Sequence, residues 1–477
     1  MNVDGSKQVS SGQGNRPANR PADRHESRQA PQDLVERSLA AVWHPCTQMK
    51  HHERLPLVAV ARGSGAWLFD HAGRRYLDAI SSWWVNLFGH ANPRINAALK
   101  AQLDTLEHVM LAGCTHTGAV ELAERLSRLT DGKLGHAFFA SDGASAIEIA
   151  LKMSFHYWRN HGRDEKREFV CIANGYHGET IGALGVTDVA LFRDAYDPLI
   201  RCAHVAASPD ARAARPGESA ADVARRALDD VRALFESRAQ QIAALIVEPL
   251  VQCATGMAMH DASYVAGLRE LCDQYEVHLI ADEIAVGCGR TGTFFACEQA
   301  GVWPDFLCLS KGISGGYLPL SIVLSRDEIF AAFYDDDTTR GFLHSHSYTG
   351  NPLACRAALA TLDLFQSDDV LAANERKSSA LLAALAPLAS HDAVRHLRRC
   401  GTIIAFDAAL EGDAARTFSR RFNDHALSRE LLLRPIGTTV YLMPPYILDN
   451  EEIALLAART CETFEATLEA TPAGGRR

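Results

Sequence analysis

Between about residues 135 and 325 the chain alternates short runs of β-branched and aromatic residues with longer stretches whose apolar positions recur every three or four residues. The short runs predict strands at His136–Ala140, Phe169–Ala173, Ala243–Val247, Val277–Ala281, Phe306–Leu309 and Ser321–Leu324. The longer stretches predict helices over Ala144–Asn160, Ala221–Arg238 and Tyr264–Tyr275. Strand and helix in turn, with the strands apolar throughout rather than alternating, predict an α/β fold with a mostly parallel sheet covered on both faces. Ser208–Ser219, rich in Pro, Gly and Ala, reads as a surface loop.

Beyond about residue 366 the pattern changes. A helix such as Val370–Leu388, strand-like Gly401–Ala405 and Arg434–Met443, and a last helix from Asp449 predict a second, smaller α+β unit over residues 367–477. Ala66–Phe69 followed by Asp70-His71-Ala72-Gly73 predicts a hairpin, so residues 33–80 are expected to fold with the C-terminal unit, leaving 81–366 as the large domain. Residues 1–32, rich in Ser, Gln, Asn, Pro, Gly and Arg and nearly without aliphatic side chains, predict a flexible tail.

Composition narrows the function. The 477 residues suffice for roughly two or three domain-sized units. A formal charge of −10 disfavours wholesale binding to nucleic acid or anionic lipid, and the short basic stretch Arg395, Arg398 and Arg399 reads as a solvated face. The twelve cysteines are scattered without CxxC spacing, which predicts no metal cluster and a reducing compartment. The nearly uncharged stretch Phe306–Ser325 is long enough to span a bilayer, but Lys311, Gly315, Gly316 and Pro319 break it, so no transmembrane helix is expected. The start carries no apolar segment of a secretory signal, and a cytoplasmic protein is expected.

The sharpest chemical signal is a strand ending in acid, Leu279-Ile280-Ala281-Asp282-Glu283, followed one strand later by a strand ending in lysine, Leu307-Cys308-Leu309-Ser310-Lys311. Carboxyl ends of strands in an open α/β sheet face the ligand crevice, so Asp282 and Lys311 are expected in one site, where the alternative is a buried ion pair. Ser141-Asp142-Gly143-Ala144-Ser145 sits between a strand and a helix, where free N–H groups and the helix dipole suit a phosphate. Asn174-Gly175-Tyr176-His177-Gly178 closes a strand with an aromatic pair between glycines. A phosphate cradle, an aryl platform, a carboxylate and a lysine together are the set that pyridoxal phosphate requires. The lysine would form the Schiff base and shuttle a proton, and the aspartate would keep the pyridine nitrogen protonated.

Asp282 to Gly292, Pro304-Asp305 to Lys311, and Gly350-Asn351-Pro352-Leu353-Ala354 resemble the class III, fold type I aminotransferases. Within that class, Trp43-His44-Pro45-Cys46-Thr47-Gln48-Met49, Ser81-Ser82-Trp83-Trp84-Val85-Asn86, and Arg434-Pro435 with Val440-Tyr441-Leu442-Met443-Pro444-Pro445-Tyr446 are similar to the branch that acts on 8-amino-7-oxononanoate in biotin synthesis. The resemblance implies a homodimer using pyridoxal 5′-phosphate, with S-adenosyl-L-methionine as donor and 7,8-diaminononanoate as product. It implies Lys311 as the Schiff-base lysine, Asp282 as partner of the ring nitrogen, Gly143 and Ala144 at the phosphate, and His346 and Ser347 as a phosphate-contacting pair given to the other subunit. It further implies Trp83, Tyr176 and Ser345 around the substrate, and Arg434 on its carboxylate. Two positions depart from the family pattern: Cys46 stands where tyrosine is usual and Glu179 where aspartate is usual. Both bear on the donor, which leaves lysine as an alternative to S-adenosylmethionine. Another ω-aminotransferase of the class, or a catalytically silent cofactor-binding dimer, are the competing expectations.

Overall fold

Apolar strands seven residues or shorter, each too short to stand alone, find stability only side by side. The computed structural model describes residues 31–55 and 57–470. Its large sheet is built from β1 (His136–Ala140), β2 (Glu168–Ile172), β3 (His204–Ala206), β4 (Ile242–Val247), β5 (His278–Asp282), β6 (Phe306–Leu309) and β7 (Ser321–Ser325), in the order β1-β7-β6-β5-β4-β2-β3. All pairings are parallel except those of β7, which runs antiparallel to both β6 and β1. The predicted strands are therefore present within a residue or so at each end. The mostly parallel sheet expected from the sequence is present, with β7 the exception: only residues 310–320 separate β6 from β7, with no crossover helix to bring the chain back for a parallel pairing.

Both faces are covered, which is why the strands are apolar at every position. On one face α1 (Gly143–Asn160) packs Ile147, Ala150 and Met153 against Ile246, Ile280, Phe306 and Val323. On the other, α2 (Ala220–Arg238) and α3 (Ala262–Tyr275) bring Val231, Phe235, Leu268 and Leu271 onto Val170, Leu245 and Leu279. Successive residues Leu245 and Ile246, and again Leu279 and Ile280, thus serve opposite cores.

The C-terminal part forms a three-stranded antiparallel sheet of Val394–Cys400, Ile403–Ala408 and Thr439–Leu442. Helices Gly412–Ser428 and Asn450–Glu469 cover it through Phe406, Phe418, Phe422 and Phe464. The predicted hairpin is present as Trp67–Asp70 paired with Arg75–Asp78, and Leu431–Leu432 adds to it in parallel. Two expectations at this end are corrected. The strand predicted from Arg434 is confined to Thr439–Leu442, because Pro435 has no N–H and Gly437, at φ 57°, turns the chain so that Ile436 and Thr439 bond each other. The basic stretch is a strand that is solvated only in part: Arg395 is exposed, whereas the Arg398 side chain is mostly covered. Its bulge between Arg395 and Arg398 leaves the Arg398 guanidinium donating to the carbonyls of Met257 and Gly256 and to Asp407.

The described residues up to Ala59 form a unit of their own, with a helix at Pro31–Ala41 and a short 3-10 turn at Met49–Glu53. The predicted tail lies outside the described residues apart from its last two positions, which begin that helix. No helix among the described residues is long and apolar enough to cross a membrane.

Candidate active site

Because β1, β2, β4, β5 and β6 run the same way, the residues that follow each of them emerge at one edge of the sheet. Those residues are Ser141 to Gly143, Asn174 to His177, Glu248, the last residue of β5, Asp282, and Ser310 with Lys311.

Asp282 is almost fully buried, and its Oδ2 lies 2.7 Å from Nδ1 of the equally buried His177. Its Oδ1 accepts the Ile284 N–H at 3.1 Å. The far ring nitrogen of His177, Nε2, has no hydrogen-bond partner although it is buried. A carboxylate oriented this way by an imidazole and a main-chain N–H suits a cationic ring N–H.

Lys311 follows β6 at φ 45°, a strained backbone for a lysine that places it just beyond the strand end. Its amine makes no hydrogen bond or ion pair among the described residues and lies 5.2 Å from the centre of the Trp84 ring. Burial pulls its pKa below the ordinary lysine value, against the opposing charge of Asp282. An amine pushed towards its neutral form is the nucleophile that a carbonyl compound requires.

Glu248 ties two loops together: its Oε2 accepts the Tyr176 N–H and its Oε1 the Cys253 N–H, both at 3.0 Å. Burial raises its pKa to about 7. The Tyr176 hydroxyl donates to Glu179 at 2.9 Å, so the residue that departs from the family pattern still places a carboxylate beside the aromatic.

The phosphate expectation fits the local backbone. Asp142 caps α1 by accepting the Ser145 N–H at 3.0 Å, leaving the Gly143 and Ala144 N–H groups at the open end of the helix. A Cβ on Gly143 would stand 3.1 Å from Ile284, and one on Gly178, at φ 119°, 2.6 Å from the Ala144 Cβ. Glycine at these places lets the cradle close against the Asp282 loop on one side and the Tyr176 loop on the other.

Ser81, Ser82, Trp83 and Trp84 all have positive φ, at 50°, 46°, 73° and 73°, forming a left-handed turn of non-glycine residues. Each such residue costs roughly 1–2 kcal/mol, so the surroundings must over-determine the turn. Asp78 does so from one side, accepting the Ser82 N–H at 2.8 Å and its hydroxyl at 2.7 Å. The turn presents Trp84 to the Lys311 amine and Trp83 to Arg434, whose guanidinium carbon is 5.6 Å from the ring centre. The Trp84 indole N–H donates to the Tyr441 hydroxyl at 3.2 Å.

Of the residues singled out from the sequence, the fold links Lys311 and Asp282 on neighbouring strands with Gly143, Ala144, Tyr176, Trp83 and Arg434. His346 lies beside Ser141, the two side chains 3.5 Å apart. Ser345 and Ser347 are exposed on the same loop. Three contributors were overlooked: His177, Glu248 and Asp78. For Glu248 a signal was present, since Ala243–Val247 ends in an acid just as Leu279–Ala281 does. His177 stood in a quoted motif with only its tyrosine assigned.

A mixed α/β sheet whose carboxyl edge gathers a buried amine, a histidine-backed carboxylate and a glycine-lined helix start is the architecture of the fold type I aminotransferases. The chain belongs to the family Aminotransferase class-III, which it matches over residues 48–466. Among relatives, it is 42% identical over 441 residues to the adenosylmethionine-8-amino-7-oxononanoate aminotransferase of Helicobacter pylori, covering 91% of this chain and 98% of that protein. The crystal structure of the enzyme of the same name from Methanocaldococcus jannaschii superposes with a TM-score of 0.86 at 32% identity, covering 92% of this chain and 99% of the other. An omega transaminase of Pseudomonas jessenii, solved in complex with PMP, gives 0.87 at 26% identity over 91% and 98% of the two chains.

Proposed function

We propose that this aminotransferase moves an amino group from S-adenosyl-L-methionine to 8-amino-7-oxononanoate, giving 7,8-diaminononanoate, with pyridoxal 5′-phosphate bound at the sheet edge. The observation that carries the reading is one strained turn that sets Trp84 against the Lys311 amine and Trp83 against the Arg434 guanidinium. The relatives bearing that enzyme's name, at 33–42% identity, support the same substrates. The exchange needs no oxidant, because the acceptor's ketone oxygen and the donor's amino group trade places.

When bound, the cofactor supplies an aldehyde carbon that carries the amino group and a protonated ring that accepts electrons. The residues do the rest. Asp282, held by His177, would keep the ring nitrogen protonated. The Lys311 amine would hold the aldehyde and, when free, would serve as the base that moves a proton at the substrate carbon. Gly143 and Ala144 offer main-chain N–H groups to the phosphate. Arg434 binds the substrate carboxylate as a bidentate fork, while Trp83 and Trp84 cover the apolar chain and exclude water. His346 and Ser347 would complete the phosphate site of a second subunit, so a homodimer at about twice the 52.0 kDa chain mass is expected by light scattering.

The test adds each donor alone to the cofactor-loaded protein and follows the visible cofactor band, then supplies 8-amino-7-oxononanoate and assays 7,8-diaminononanoate by mass spectrometry. S-adenosylmethionine should discharge the band and yield product. Discharge by lysine alone would move the donor assignment to lysine, for which the Glu179 carboxylate offers an ammonium partner. Loss of the band without product from this acceptor would place the enzyme elsewhere among the ω-aminotransferases.

A further inference from the structure

Asp407 faces Thr439 across the antiparallel pairing of Ile403–Ala408 with Thr439–Leu442, and its carboxylate is the meeting point of three side-chain donors. The Thr439 hydroxyl donates to its Oδ1 at 2.7 Å. Arg398 donates to Oδ2 at 3.1 Å and to Oδ1 at 3.2 Å. Arg212, which is also paired with Asp210 at 2.8 Å, reaches both oxygens at 3.4 Å. The Asp407 side chain is only 16% exposed, so water does not readily replace a partner that is removed.

Both arginines also grip the loop that follows Gln252. Arg398 donates to the Gly256 carbonyl at 2.6 Å and the Met257 carbonyl at 3.0 Å, and Arg212 to the carbonyls of Gly256 and Thr255, each at 3.4 Å. Gly256 has φ 85°, and a Cβ there would stand 2.7 Å from Thr439 Oγ1, so the loop touches the strand with no room to spare. The same loop begins at Cys253, whose N–H is held by Glu248, and Cys253 and Met257 pack in one apolar cluster with Trp84 and Tyr441. Through Thr439 the carboxylate reaches in the other direction. Ile436 and Thr439 exchange main-chain bonds at 2.9 Å, closing the turn that begins at Arg434. One acid thus ties the turn carrying the Arg434 guanidinium to a loop that packs behind Trp84.

We infer that Asp407 is a positioning residue for carboxylate recognition: with Arg398 and Arg212 it sets where the Arg434 turn stands against the Cys253–Met257 loop. It acts through Thr439 without touching substrate, and the inference rests on the substrate reading above, in which Arg434 takes the acceptor's carboxylate. Thr439→Val cuts the tie to the turn while keeping the side-chain shape, and Asp407→Asn removes the charge that draws both arginines in. Each should raise the KM for 8-amino-7-oxononanoate about tenfold, while kcat and the visible cofactor band change far less. With the methyl ester of the acceptor, which brings Arg434 no charge, kcat/KM should stay near the wild-type value. Arg398→Lys, which keeps a positive charge at Asp407 but loses the planar fork, should give a smaller rise in KM. Independently of turnover, hydrogen exchange at the Ile436 amide, which bonds the Thr439 carbonyl, should accelerate in both variants relative to the rest of the protein. If Asp407→Asn does not fold, Thr439→Val, which leaves both arginines paired, decides the matter alone. An equal loss with acid and ester, or a lowered melting temperature with KM and Ile436 exchange unchanged, would overturn the inference. A wild-type enzyme that ignores 8-amino-7-oxononanoate would sink the substrate reading alone, since the exchange result would still decide what Asp407 holds.

Discussion

At the scale of single residues, the site separates chemistry from support. On the proposed mechanism, Lys311→Ala removes the amine that would hold the cofactor and move the proton, so turnover should fall below detection in a product assay. The fold should survive, by circular dichroism, because a buried amine with no hydrogen bond contributes little to stability. Asp282→Asn keeps the size but not the charge, and should slow turnover by about a hundredfold or more. An Asp282→Asn enzyme at near-normal rate would show that the ring nitrogen leans on another group. Lys311 and Asp282 were readable in advance because each ends an apolar strand, and topology then sends both to one edge. His177 was less readable: a histidine between glycines carries no signal for a carboxylate 105 positions later, and only the approach of the two loops shows the 2.7 Å contact. Arg434 and Trp83, 351 positions apart, were nominated only through the family resemblance, and their contact depends on a backbone turn that hydrophobic pattern does not encode.

At the scale of elements, β5 joins function at one end to stability at the other. Asp282 closes it at the site, while His278 opens it in the core, with Nδ1 2.9 Å from the Ser154 hydroxyl of α1 and its ring stacked on Trp158 at 4.6 Å. Burial pushes the His278 pKa down to about 4 from an ordinary 6.5. Above pH 6.5 both the native and the unfolded histidine are neutral. As the pH falls through 6.5 the unfolded chain takes up a proton that the native state refuses until about pH 4, so stability is lost across that window, by about 3 kcal/mol in all. Denaturant titrations between pH 7 and pH 4 should show this slope, and His278→Gln should flatten it. An equal slope in the variant would assign the acid sensitivity to other groups. The helices and strands of this layer were legible because their periodicities differ, 3.6 against continuous burial. The direction of β7 was not, since an apolar run reads the same in either direction.

At the scale of the whole molecule, folding and cofactor binding are linked. A ligand that binds only the folded protein at a hundredfold excess over its dissociation constant adds about 2.7 kcal/mol, so the cofactor-loaded protein should melt higher than the cofactor-free form by calorimetry. Lys311→Ala should forfeit part of that gain, and equal melting of loaded and stripped wild type would argue against a site at this sheet edge. The amino-acid sequence by itself determined the layered α/β plan, the strand ends that carry acid and amine, and the motifs shared with the aminotransferases, because these are local properties of pattern and spacing. Tertiary structure alone decided which loops meet: the imidazole behind Asp282, the glutamate joining two loops, and the aspartate gripping a left-handed turn. Such contacts arise between segments remote along the chain, where side-chain identity sets what is possible and only the packed backbone sets the distance.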